Sequence, residues 1–95
     1  MSATVTVDIG TTGVKLCLFS TEGALVASDR HRTPTLPDAW GEVYDLTALT
    51  SVMETFIMTL PTDQRDQIGR IAFTSVGESG GLVREDLSLA SPMIL

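Results

Sequence analysis

The sequence predicts an α/β fold: a three-stranded antiparallel meander, one helix, a parallel fourth strand and a short fifth strand. Three observations carry this. Two extended runs, Thr4 to Val7 and Val14 to Phe19, flank the turn Gly10-Thr11-Thr12-Gly13, and a third run follows the turn Ser20-Thr21-Glu22-Gly23. Leu46, Leu49, Met53, Phe56 and Leu60 recur at three- and four-residue spacing, which is a helical stripe. A mostly apolar run, residues 68–76, comes after the helix, and a strand reached through a helix normally returns parallel by a right-handed crossover.

The elements follow in chain order. In the first strand Thr4, Val5, Thr6 and Val7 alternate polar and apolar. In the second, Val14, Leu16 and Leu18 share one face, with Lys15, Cys17 and Phe19 on the other. The third spans about 24–32, and its wholly polar end, Ser28 to Arg32, reads as an exposed edge. His31, the lone histidine, has no second imidazole or cysteine nearby in sequence and reads as a solvated strand end. Residues 33–45 are expected to be irregular, because Pro34 and Pro37 oppose regular pairing. Trp40 and Tyr44, the only tryptophan and tyrosine, make either a lid on the core or the wall of a ligand site. Asp45 is a suitable N-cap for a helix over about 46–60, and Pro61 stops it. Met53 and Met58 read as core filler. The threonines between Thr47 and Thr59 lower helix propensity, so this helix needs its sheet. Residues 62–67 read as a polar link, the run 68–76 as a strand covered on both faces, and 82–86 as a short strand and turn. There is no internal repeat and no low-complexity segment.

Composition bounds the function. A chain of 95 residues makes one small domain that buries about 60–65% of its unfolded surface. Hydrophobic residues are 43%, enough for a packed core. The net charge of −6 and a pI near 4.4 argue against non-specific binding to nucleic acid or to anionic membranes. Cys17 is the only cysteine, so there is no intrachain disulfide, and it reads as a buried inert thiol. Neither a secretory leader nor an apolar run of about 18 residues is evident, and the cytoplasm is the default location.

The first turn has the chemistry of an anion site. Two glycines let the main chain approach a ligand, and consecutive amides form a concave nest, with the hydroxyls of Thr11 and Thr12 as further donors. Lys15, the only lysine, adds positive charge. Asp8, ending the first strand, requires a divalent cation between itself and any phosphate, and Mg²⁺ suits one carboxylate plus waters and nucleotide oxygens. A hairpin that uses Gly and Thr for conformation alone is the plain alternative. Neither a G-x-x-x-x-G-K-[ST] loop nor a G-x-G-x-x-G fingerprint occurs, so ATP binding would rest on this hairpin.

Asp8-Ile9-Gly10-Thr11-Thr12-Gly13-Val14-Lys15 resembles the first phosphate motif of the FGGY carbohydrate kinases (the xylulokinase and glycerol kinase type), in the superfamily of actin and hexokinase. The resemblance implies a partial ribonuclease-H-like, actin-like ATPase half-domain, with ATP and Mg²⁺ as cofactors. It makes Asp8 the metal residue and Gly10, Thr11, Thr12, Gly13 and Lys15 the phosphate-binding residues. Trp40 and Glu42 resemble a Gly-Trp-Val-Glu-like segment that precedes the first helix in that family.

Val76-Gly77-Glu78-Ser79-Gly80-Gly81 ends the fourth strand, where open α/β sheets collect ligands. The corresponding loop of FGGY kinases touches sugar hydroxyls, which by resemblance assigns Glu78, with Gly77, to binding a sugar or polyol. Ser75, Val76 and Gly77 depart from the commonest versions, so which sugar is left open. Gly77-Glu78-Ser79-Gly80-Gly81 also matches the G-x-S-x-G nucleophile elbow of serine hydrolases. Against that reading, no helical pattern and no histidine follow Ser79. A non-catalytic binding or assembly module is the remaining alternative.

FGGY kinases are several-fold longer and have two domains, and their catalytic aspartate corresponds to a point beyond residue 95. The resemblance thus implies an incomplete N-terminal domain, inactive alone, and an uncovered sheet face prone to self-association or strand swapping.

Overall fold

The computed structural model describes residues 2–39, 41–75, 81–91 and 93–94. β1 (Ala3–Ile9) and β2 (Gly13–Phe19) form an antiparallel hairpin in which Asp8 stands opposite Lys15 and Ile9 opposite Val14. β3 (Leu25–Arg32) pairs antiparallel with β2 on the other side. The turn between them has Gly23 at φ +85°, a conformation that favours glycine. Within that turn the Ser20 hydroxyl accepts the amide of Ala24 at 3.2 Å.

β4 (Thr35–Asp38) and β5 (Gly41–Tyr44) come next, then α1 (Leu46–Thr59), a one-turn helix α2 (Thr62–Arg65), β6 (Ile68–Ser75) and β7 (Met93–Ile94). The first sheet has the order β3-β2-β1-β6, with β6 parallel to β1. The expected meander, helix and parallel fourth strand are therefore present. A second sheet, β4-β5-β7, accompanies them.

The core lies between α1 and one face of the β1–β2 hairpin. Val5, Val7, Val14, Leu16 and Leu18 are fully buried there against Leu49, Phe56 and Leu60. The Asp45 carboxylate caps α1 by accepting the Ala48 amide at 3.0 Å. Thr50 and Thr59 turn their hydroxyls back to the carbonyls four residues earlier, each at 2.8 Å, which is how a helix holds threonines.

Five expectations are corrected. Residues 33–45 are not irregular: Thr35–Asp38 and Gly41–Tyr44 form a hairpin, and Pro37 is tolerated because β4 is an edge strand. The link 62–67 contains α2. β6 is not covered on both faces: Ile71 is 47% and Phe73 57% exposed, because α1 packs over β1 and β2 and β6 contributes only Ile68 to the core edge. Met58 is exposed, whereas Met53 packs against the core. At 82–86 a single antiparallel bridge, Val83 to Leu89, stands in place of a strand. Tyr44 is buried, in keeping with a lid on the core, and Trp40 lies outside the described residues.

Candidate functional site

The Gly10–Gly13 turn is closed by the Gly10 amide, which donates to the Gly13 carbonyl at 2.9 Å. A Cβ at Gly10 would lie 3.0 Å from that same carbonyl, a tight contact that favours glycine there. Thr11 and Thr12 are exposed, and among the described residues their amides have no hydrogen-bond partner. Two main-chain donors and two hydroxyls therefore stand ready for water or an anion.

What holds the turn in place is Thr33, just past β3. It is 5% exposed, donates Oγ1 to the Gly10 carbonyl at 2.7 Å, and donates its amide to the Thr12 carbonyl at 3.2 Å. Thr33→Val keeps the shape but leaves the Gly10 carbonyl short of its donor. The expected cost is about 1–2 kcal/mol, read as a lower urea midpoint. Thr33→Ser, which retains the hydroxyl, restores most of it. Equal midpoints for wild type and Thr33→Val would refute the clamp.

Asp8 is exposed at the end of β1, and its Oδ1 accepts the Thr74 hydroxyl of β6 at 2.8 Å. The strand registers set Thr74, Asp8, Lys15 and Arg30 side by side across four strands, on the face away from α1. A cleft of about 220 Å³ runs along Asp8, Gly10, Thr12, Gly13, Lys15 and Arg30. A second, of about 540 Å³, lies against Thr11, Thr12, Arg32, Thr33 and Glu42. The five phosphate-site residues read from the sequence, together with Asp8, thus converge on one end of the first sheet.

The donor set fits Mg²⁺ in one way only. Among the described residues no group of three His, Cys, Asp or Glu side chains is placed to share a metal ion. Asp8, with Oδ1 already tied to Thr74, would supply one oxygen, leaving water and ligand oxygens to complete the shell, as Mg²⁺ prefers. Glu78 and Gly77, assigned to the sugar, and Ser79 of the hydrolase motif lie outside the described residues.

Sequence reasoning missed Arg30, Arg32, Thr33 and Thr74. For Thr33 and Thr74 it offers no signal. Arg30 is hidden for a different reason: counting from the Ser20–Gly23 turn sets Asp29 opposite Lys15, and only the irregularity where β3 passes Leu18 and Phe19 brings Arg30 there instead. His31 is exposed as expected and pairs with Asp29 at 3.0 Å. Cys17 is a buried free thiol.

No protein-family model and no curated protein matches the chain. Solved structures do. The gluconate kinase from Lactobacillus acidophilus superposes with a TM-score of 0.72 at 21% identity, over 98% of this chain and 19% of its own. A ligand-bound xylulose kinase from the same organism gives 0.69 at 20%, over 99% and 19%. A xyloylose kinase from Brucella ovis gives 0.74 at 19%, over 98% and 20%. The chain thus spans about a fifth of the length of these kinases, and over that span it has the sugar-kinase fold: an α/β half-domain with its turn-bearing hairpin at the sheet centre.

Proposed function

We propose that the chain is the phosphate- and Mg²⁺-handling part of an ATP-dependent carbohydrate kinase of the FGGY type, which transfers the γ-phosphoryl group to a sugar or polyol hydroxyl. The observation that carries this is the free Thr11 and Thr12 amides beside exposed Asp8 and Lys15, in a fold shared with sugar kinases. On this reading residues 1–95 are an incomplete first domain of a two-domain, cytoplasmic enzyme. The general base that takes the acceptor's proton then belongs to chain beyond residue 95.

Each residue has a part. Thr11 and Thr12 orient the phosphates through amides and hydroxyls, and Gly10 and Gly13 keep the main chain close to them. Lys15 offsets the charge that develops on the transferring group. Asp8 would hold Mg²⁺ through its carboxylate, and Glu78 would help to fix the acceptor. Mg²⁺, when bound with ATP, neutralises charge on the β- and γ-oxygens. Positioning and electrostatics supply most of such catalysis.

A coupled ADP-release assay with a panel of pentoses, hexoses and polyols tests the reading on a protein carrying this chain within the longer polypeptide. Turnover with at least one acceptor is expected, and the 95-residue chain alone should bind MgATP weakly and turn nothing over. The serine-hydrolase reading predicts fluorophosphonate labelling at Ser79 instead, and the kinase neighbours do not favour it.

A further inference from the structure

Of the six Lys and Arg residues in this acidic chain, three stand around one turn. Arg30 sits directly opposite Lys15 on the neighbouring strand, and Arg32 directly opposite Gly13. Lys15 and Arg30 share one cleft with Gly10 and Thr12, while Arg32 shares the other with Thr11 and Thr12. Like charges placed opposite each other across a ladder cost stability. Two carboxylates lie nearby, Asp8 opposite Lys15 and Glu42 in the cleft that Arg32 lines, but among the described residues neither forms an ion pair with the cluster. Between described residues the one ion pair is His31 with Asp29, and Asp29 also accepts the Arg30 amide at 2.8 Å. Asp8 lies on the far side of Lys15 with Oδ1 held by Thr74.

An unpaired cation cluster around unfilled amide donors is what a multiply charged anion requires. We propose that Arg30 and Arg32, with Lys15, form a cationic rim that clasps a polyphosphate chain from both sides of the Gly10–Gly13 turn, each guanidinium contacting phosphate oxygens directly. The ligand class is a nucleoside triphosphate, an identification that rests on the kinase reading above; the rim itself rests on the registers and on the lack, among the described residues, of an ion pair to Lys15, Arg30 or Arg32. Planar guanidinium forks suit this role, since they donate two parallel hydrogen bonds to one phosphate. The competing account is that β3, an edge strand, carries arginines only to discourage pairing with other chains.

Titration calorimetry of the 95-residue chain with inorganic tripolyphosphate separates the two. Arg30→Gln and Arg32→Gln should each weaken binding about ten-fold. Arg70→Gln, the same charge change at the opposite end of the first sheet, should stay within about two-fold. If all three variants bind alike, or if wild type takes up no tripolyphosphate, the rim is overturned. The kinase reading is judged separately, by MgATP titration of wild type and Asp8→Ala. Arginine-dependent tripolyphosphate binding without any Mg²⁺- or Asp8-dependent gain for ATP would keep the rim and reject the kinase.

Discussion

On the proposed kinase reading, changing Asp8 to alanine is expected to lower the affinity for MgATP by on the order of 100-fold and to remove the difference between titrations with and without Mg²⁺. Asp8 is the one carboxylate on the row formed by Thr74, Asp8, Lys15 and Arg30, so no neighbour can take over its role. Its side chain is exposed and its partner Thr74 can turn to water, so the fold should change little. A thermal midpoint close to that of wild type therefore accompanies the lost affinity. Thr74→Val is the informative companion: it frees Oδ1 without removing the carboxylate, and should cost about ten-fold at most. An Asp8→Ala chain that keeps a Mg²⁺-dependent gain in ATP affinity would show the metal assignment to be wrong.

The tie between Asp8 and Thr74 also shows where sequence reading stops. Asp8, the turn and Lys15 are contiguous, so their chemistry could be read from eight residues. The hairpin and the helix were legible for similar reasons: Gly10, Gly23 and Pro61 punctuate them, and each periodicity is local. Thr33 and Thr74 are different. Each is an ordinary threonine whose role comes from a register between strands, 23 and 66 residues from its partner. The β4–β5 hairpin was hidden by Pro37, which an edge strand accepts and a central one would not. The apolar run of β6 misled in the other direction, because hydrophobicity records what a strand is made of, not whether another layer reaches it.

That last contrast has a measurable consequence. Leu16 is fully buried at the centre of β2, opposite Val7 and packed into the cluster that α1 completes. Leu16→Ala removes that contact and leaves a void, at a cost of about 2–5 kcal/mol. Small domains hold only about 5–15 kcal/mol in total, and a half-domain with exposed Ile71, Phe73, Leu25 and Val26 belongs at the low end. Leu16→Ala is therefore expected to be largely unfolded at 25 °C, losing both its urea transition and any phosphate binding. Phe73 is larger and equally apolar, yet Phe73→Ser should shift the urea midpoint by no more than about 0.5 kcal/mol equivalent, because the ring is already in water. The difference turns on coverage, not residue type. Should Phe73→Ser destabilise as much as Leu16→Ala, β6 must be covered in solution by another surface. A second copy of the chain doing so would make the wild-type midpoint rise with protein concentration, which the same urea titrations would register.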